Sequence, residues 1–325
     1  MGKLKLTLAC GLYDRTRALQ NGEVRPEGIE LNYLAYEPFQ LFWRQARYAE
    51  FDASEYSLGA YLTELGKGMD RFVGIPVFPS RAFRHSCVYV NTEVGIEKAE
   101  DLKGKRIGLP DFSLTAIIWL RGILADDYGI GNEDAIWYTG GLNKPGGEPR
   151  MTLNLPEGME RYHVRDRSLN DMLVEGELDA LLAPLMPVSF LNRSPRVARL
   201  WPNYAEVEKD YFSRTGLFPI MHAVVIKRSI YEKHPWVARN LMQAFIEAKE
   251  IAQQELYGLS VLKTTLPWQF PAYEETVRIM GPDYWPYGME ANRKGFETLA
   301  RYMYEQGITP RIVKMEEAFV ESTWG

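Results

Sequence analysis

The stretch Phe78–Asn91, FPSRAFRHSCVYVN, packs Arg81, Arg84 and His85 into five residues between two apolar runs. Phe72–Phe78 leads in and Ser86–Val90 leads out, and both have the β-branched and aromatic content of buried strands. Pro76 and Pro79 restrict the backbone between them, and Pro79 has no N–H, so a sheet ladder is expected to break near it and turn the following side chains toward an opening. Cationic groups between buried strands are costly unless an anion meets them, whereas a solvated basic turn would carry no such implication.

Working outward, the same grammar of strand, polar tip and helix recurs. Lys3–Cys10 alternates as a strand, and Gly11–Arg17 follows as a loop entering a short helix that Asp14 can cap and that ends near Asn21-Gly22. Ile29–Tyr36 reads as a second strand. The helix after it, Pro38–Tyr48, carries Phe39, Phe42, Trp43 and Ala46 at helical spacing, a stripe expected to face the core. Phe51–Tyr56 reads as a third strand, and Ser57–Gly66 as the helix after it. In an open α/β sheet, loops at the carboxyl ends of strands line the ligand crevice, so Tyr13–Arg17, Ser54–Ser57 and Ser80–His85 are expected to converge.

A second series begins at Asp101. Arg106–Leu109 reads as a strand, Pro110–Thr115 as a polar loop, and the residues to about Tyr128 as an amphipathic helix with Ser113 or Thr115 at its start. Such a start can take a carboxylate or phosphate, or can simply be a serine cap. Asn143–Pro149 is a Gly/Pro-rich connector, Ser168–Glu175 a helix, and Leu178–Ala183 a short buried strand. Ile220–Arg228 is a further buried strand with His222 in its interior, where a lone histidine is more often a satisfied core residue than a ligand. Pro235–Leu256 is a long helix with Val237, Leu241, Phe245 and Ala248 on one face. The aromatics Trp268, Tyr273, Trp285 and Tyr287 read as packing ahead of the alternative, a lid over the crevice, and a last helix follows over Glu290–Gln306.

With 325 residues and 46% apolar content the chain can bury a large core, and its length suggests two lobes. These are expected over 1–90 with 200–325, a discontinuous first α/β lobe, and over 91–199, a smaller second one. The net charge of −5 and the absence of like-charge blocks give no footprint for nucleic acid or an anionic membrane. Cys10 and Cys87 lie far apart in apolar segments, where buried free thiols are expected and a disulfide stays open. No apolar run approaches a membrane span, and the first residues lack the pattern of a secretory signal, which reads as a cytoplasmic protein.

Seven blocks carry a longer signal: RTRAL at Arg15–Leu19, VRPEGIELNYL at Val24–Leu34, FDASEYSL at Phe51–Leu58, IPVFPSRAFRHSCVYVN at Ile75–Asn91, DLKGKRIGLPDFSLTA at Asp101–Ala116, RTGLFPIMHAVVIKR at Arg214–Arg228, and WPYGMEANR at Trp285–Arg293. Together they resemble the 4,5-dihydroxyphthalate decarboxylase family, on a type II periplasmic-binding-protein-like fold, across nearly the whole chain. The resemblance implies two α/β lobes with a ligand crevice between them. It also implies cofactor-independent decarboxylation of a hydroxylated aromatic carboxylate to protocatechuate and CO2. The chain departs from the family's usual pattern at Tyr56, where Met is common, and at Phe112, Ser113 and Leu114, where Tyr-Gln-Met is common; both places adjoin the expected crevice.

Decarboxylating a phenolic carboxylate without an electron-sink cofactor requires protonation of the ring carbon that bears the leaving carboxylate. The protein must anchor the second carboxylate and hold a proton donor over that carbon. Candidates for anchoring are Arg15, Arg81 and Arg84, with Thr16, Ser57, Ser113 and Thr115 assisting. Candidates for proton traffic are His85, His222 and Glu55, with acid and base unassigned among them. If those three met they could hold a divalent metal, but no ligand pair has local motif spacing, so neither metal nor cofactor is expected. The partner expected is a small-molecule aromatic carboxylate, with no nucleic acid and no membrane span, and with a homo-oligomer left open. A non-catalytic carboxylate-binding protein would use the same arginines without needing a histidine.

Overall fold

The computed structural model describes residues 2–147, 152–257 and 261–324. It divides into two units, one formed by 1–81, 220–297 and 313–325, the other by 82–219 and 298–312. The chain therefore changes unit at Arg81/Ala82 and Pro219/Ile220, where the sequence places the crossings near 90 and 200, and again at Glu297/Thr298 and Ile312/Val313, inside the stretch 200–325 that the sequence assigns wholly to the first lobe. Sheet pairing gives the reason: the strand after Arg81 belongs to the second sheet.

In the first unit β1 (Leu4–Cys10), β2 (Ile29–Ala35), β3 (Ala53–Ser57), β4 (Phe72–Ile75) and, much later in the chain, β11 (His222–Lys227) form a five-stranded sheet of order β2-β1-β3-β11-β4. β1 pairs parallel with β2 and β3, and β11 runs antiparallel to β3 and β4. Leu6, Leu8, Ile75, Val224 and Ile226 pack against Val237, Leu241, Phe245 and Ala248, the expected face of the long helix Trp236–Tyr257. Fully burying one such side chain stabilises by about 1.5–3 kcal/mol, so this interface fixes the sheet against the helix. β4 stops at Ile75, where Pro76 follows; the Val77 N–H turns back onto the Ile75 carbonyl at 2.7 Å, and the Val77 carbonyl accepts from the Val224 N–H of β11 at 3.0 Å.

In the second unit β5 (Val88–Asn91), β6 (Arg106–Leu109), β7 (Ile136–Gly140), β8 (Arg161–Val164), β9 (Ala180–Leu182) and β10 (Val197–Arg199) form a six-stranded sheet of order β10-β5-β9-β6-β7-β8. β6 is parallel to β7 and β9, whereas β5 is antiparallel to β9 and β10. The helix Thr115–Tyr128 is buried nearly all round, including Ile117–Leu120, Ile123 and Leu124. It even buries Arg121, whose guanidinium lies over the faces of Phe112 and Trp137. The connector Asn143–Pro149 lies partly outside the described residues. Among the described residues no helix is long and apolar enough to cross a membrane. Cys10 and Cys87 are buried free thiols.

Two local expectations differ from the structure. The first helix, Asp14–Gln20, is entered through Tyr13, and Thr16 closes the turn by accepting a hydrogen bond from the Tyr13 N–H at 3.2 Å; Asp14 is its first residue, not its cap. The helix Pro38–Tyr48 buries Leu41 and Gln45 rather than the aromatic stripe. Gln45 is held inside because its amide both donates to and accepts from the backbone of Phe51. Phe39 and Trp43 are left 48% and 58% exposed.

Candidate functional site

The carboxyl ends of β1 and β3 and the amino end of β11 build a polar cluster on the first sheet. In the β3–β11 register His222 faces Ser57 and Val224 faces Glu55, so Glu55 and His222 are diagonal neighbours on one face. Glu55 is fully buried. Its Oε1 accepts from the Tyr13 hydroxyl at 2.8 Å and pairs with His222 Nδ1 at 2.6 Å; its Oε2 accepts from the Gly11 N–H at 2.8 Å and lies 3.4 Å from Cys10 Sγ.

Burial alone would raise the Glu55 pKa, but the hydrogen bond and charge of His222, with the Gly11 N–H and the Tyr13 hydroxyl, hold it below the ordinary carboxylate value. Tyr13 moves the other way, raised by its own burial and then by the Glu55 charge, so its hydroxyl remains a donor. Burial and Glu55 raise the Cys10 thiol too. With Glu55 ionised, its hydrogen bond with His222 is donated by Nδ1–H, which leaves Nε2 turned away from the carboxylate. The His222 side chain is 17% exposed.

Gly11 is dictated by this arrangement. A Cβ there would stand 2.6 Å from the Tyr13 ring, which folds back over the glycine to reach Glu55. The Tyr33 hydroxyl donates to the Gly11 carbonyl at 2.6 Å and Thr16 Oγ1 donates to the same oxygen at 3.2 Å, fixing the turn.

Arg15 stands beside the cluster. Its guanidinium carbon lies 4.2 Å from the ring centroids of both Tyr13 and Trp285, its Nε donates to the Pro79 carbonyl at 2.7 Å, and its Nη1 meets Asp14 at 3.0 Å. Trp285 is itself fixed by donating Nε1–H to the Phe78 carbonyl at 2.9 Å. Nη2 of Arg15 makes no hydrogen bond among the described residues. Stacking on two rings orients the guanidinium plane for a carboxylate.

The basic trio of the sequence is divided between the two units. Arg81 is buried and donates Nη2–H to the Pro286 carbonyl at 2.9 Å and to Asn292 Oδ1; burial pulls its pKa down to about 9. It straps the segment after β4 to the Pro286–Asn292 segment. Arg84 and His85 belong to the second unit. Arg84 is half-buried. His85 is 1% exposed, with Trp201 and Tyr211 at ring centroid distances of 5.4 and 5.2 Å. Neither of its ring nitrogens has a hydrogen-bond partner among the described residues, and burial lowers its pKa to about 4. Of the three proton-traffic candidates, the structure joins Glu55 and His222 and encloses His85 among aromatics.

The remaining sequence candidates have local duties. Ser57 caps the helix Leu58–Gly66 by accepting from the Ala60 N–H at 3.3 Å. Ser113 donates to Asp111 Oδ1 at 2.6 Å, and Thr115 is buried at the start of its helix. Among the described residues no group of three or more His, Cys, Asp or Glu is placed to hold a metal ion.

No family model matches the chain. It is 35% identical over 320 residues to the 4,5-dihydroxyphthalate decarboxylase of Comamonas testosteroni, covering 98% of this chain and 97% of that protein. The chain belongs to the 4,5-dihydroxyphthalate decarboxylase family. A second member of the family, from Pseudomonas putida, is 38% identical over 213 residues, 65% of this chain and 83% of its own. Among solved structures, the periplasmic aliphatic sulphonate binding protein SsuA from Escherichia coli matches with TM-score 0.56 at 14% identity, over 99% of this chain and 93% of that one. The alkanesulfonate-binding protein SsuA from Xanthomonas axonopodis pv. citri matches with TM-score 0.53 at 15% identity, over 98% and 99% of the two chains. These neighbours show the two-lobed α/β fold of periplasmic binding proteins.

Where this 4,5-dihydroxyphthalate decarboxylase family chain departs from the family's usual residues, the side chains have structural work. Tyr56 is buried, donates its hydroxyl to Glu64 at 2.7 Å, and packs against Phe42 and Phe72. Phe112 lies under Arg121 and borders a cavity of about 670 Å³ within the second unit, shared with Asp111, Thr139, Tyr162 and His163. Sequence reasoning placed Tyr13 in a tip of the crevice but did not single out its hydroxyl, Gly11 or Trp285 as contacts of Glu55 and Arg15. The pattern Cys-Gly-Leu-Tyr directly after a strand was the available signal for the first two.

Proposed function

We propose that the chain catalyses cofactor-independent decarboxylation of 4,5-dihydroxyphthalate to protocatechuate and CO2, with His222 as proton donor, Glu55 orienting it, and Arg15 anchoring the carboxylate that stays. As a member of this family the chain is a carboxy-lyase. The observation that carries the assignment of roles is the 2.6 Å contact between His222 Nδ1 and the buried Glu55 carboxylate. A binding site for a carboxylate gains little from burying a second carboxylate behind a histidine, whereas proton transfer gains a fixed tautomer and a stabilised imidazolium.

The imidazolium Nε2–H transfers its proton to the ring carbon that bears the leaving carboxylate. The hydroxyl para to that carbon loses its proton to water and becomes a carbonyl as the ring gives up its aromaticity. The C–CO2 bond then breaks, its electron pair returns to the ring, and the oxygen regains its proton. Neutral His222 keeps Nδ1–H on Glu55 and recovers its Nε2 proton from water. The balance is one carboxylate and one proton in, one C–H bond and one CO2 out.

Arg15 meets the second carboxylate through the guanidinium edge that Tyr13 and Trp285 orient. The test is incubation of the protein with 4,5-dihydroxyphthalate beside a heat-killed control, following protocatechuate and CO2. Binding without turnover would return the chain to a carboxylate-binding role.

A further inference from the structure

The helix Pro38–Tyr48 has an aromatic face of which the core uses only Phe42, through Tyr56 and the Ala9, Leu41 and Phe51 cluster. Phe39, Phe42 and Trp43 stand at helical spacing on one face, yet Phe39 and Trp43 are exposed and Phe42 is half-buried. Phe42 is the member that touches the site: its ring centroid lies 4.7 Å from that of His222, with the planes at 81°. The His222 ring is thus held by two contacts, Glu55 through Nδ1 and Phe42 against the ring.

Protonation of a ring carbon occurs perpendicular to the ring that receives the proton. A substrate taking a proton from Nε2 must present its face to that edge, so its plane stands roughly perpendicular to the imidazole plane. The Phe42 ring stands at 81° to the imidazole, the angle that a ring stacked in parallel on such a substrate must have. We infer that Phe42 is the residue that selects a planar aromatic ring at this site, by stacking in parallel with the substrate ring while holding His222 edge-on to it. This rests on the assignment of His222 as proton donor, and it adds the recognition of the ring itself, which neither Arg15 nor Glu55 supplies.

Such a stack is worth about three- to tenfold in affinity. The test compares equilibrium binding, by calorimetry, of phthalate and of cis-cyclohexane-1,2-dicarboxylate, which present similar carboxylates on a flat and a puckered ring. The proteins are the wild type, Phe42→Leu and Phe42→Tyr, with turnover of 4,5-dihydroxyphthalate measured alongside. Phe42→Leu should weaken phthalate about three- to tenfold and leave the cyclohexane diacid unchanged, with Phe42→Tyr restoring the preference; both KM and kcat for the substrate should worsen in the leucine variant. Equal losses for the two diacids, or none for either, would overturn the inference. Because ring preference is read from binding of a compound that does not react, an inactive wild type that still prefers phthalate through Phe42 would sink the decarboxylase reading and leave ring selection standing. A Phe42→Leu protein that does not fold leaves Phe42→Trp to decide: retained preference for phthalate supports the stack, and loss of it contradicts the stack.

Discussion

Glu55 Oε1 and His222 Nδ1 are 2.6 Å apart on neighbouring antiparallel strands, with the carboxylate fully buried and the imidazole partly open. Glu55→Gln keeps the shape but removes the charge that stabilises imidazolium. Its kcat for 4,5-dihydroxyphthalate is expected to fall about 10²-fold, within the range for acid–base groups, with little change in phthalate affinity. Glu55→Leu strands the Gly11 N–H and the Tyr13 hydroxyl as well, and chemical denaturation should show a loss of about 3–5 kcal/mol.

Gly11 and Tyr13 offer a steric version of the same test. An alanine Cβ at 11 would stand 2.6 Å from the Tyr13 ring, so Gly11→Ala must push Tyr13 off Glu55. Activity of Gly11→Ala is expected to be at or below that of Tyr13→Phe, which loses only the hydroxyl. A Gly11→Ala protein more active than Tyr13→Phe would mean that the ring is not held there.

Arg81 should behave as a strap. Because it is buried and donates to the Pro286 carbonyl and Asn292, Arg81→Met is expected to lower stability by about 2–4 kcal/mol. Phthalate affinity of the folded protein should stay near that of the wild type. Arg15→Met should do the reverse, weakening phthalate at least tenfold with a small stability change, since losing a charged hydrogen-bonded contact costs about 1.5–3 kcal/mol. Calorimetry beside thermal melts separates the two.

His85 makes an acid-stability prediction. Burial lowers its pKa from 6.5 to about 4, so between those values the unfolded chain binds a proton that the folded one does not. Stability should therefore decline as pH falls from about 6.5 toward 4, by up to about 3 kcal/mol at 1.4 kcal/mol per pH unit. Glu208, half-buried and raised by desolvation, works in the opposite direction nearer its own range and offsets part of this. Glu55, lowered, loses its contribution only at still lower pH. Urea melts of His85→Phe across pH 4–7 should show a flatter profile than the wild type.

Much of the fold was legible because its signals are local. β6 has the bounds read from the sequence, and the long helix buries the four residues that its spacing marked. Tyr13–Arg17 and Ser54–Ser57 meet as strand tips should, because parallel pairing of β1 with β3 brings their carboxyl ends together. The helix Pro38–Tyr48 was misread because spacing locates a face without saying what covers it. There Gln45, bonded to the Phe51 backbone, took the inner position. Arg81, Arg84 and His85, neighbours in sequence, straddle a change of unit, which depends on β5 pairing with β9 rather than on anything local. The sequence places His222 inside a strand, whereas it opens β11, and only long-range register sets it beside Glu55.

The most direct measurement is the turnover of 4,5-dihydroxyphthalate by wild-type protein and by His222→Asn, with phthalate affinity measured on both. The wild type should release CO2 and protocatechuate in equal amounts, and His222→Asn should lose about 10²- to 10⁴-fold in kcat while binding phthalate within a few-fold of the wild type. A His222→Asn protein that turns over at the wild-type rate would contradict the assignment of His222 as the proton donor.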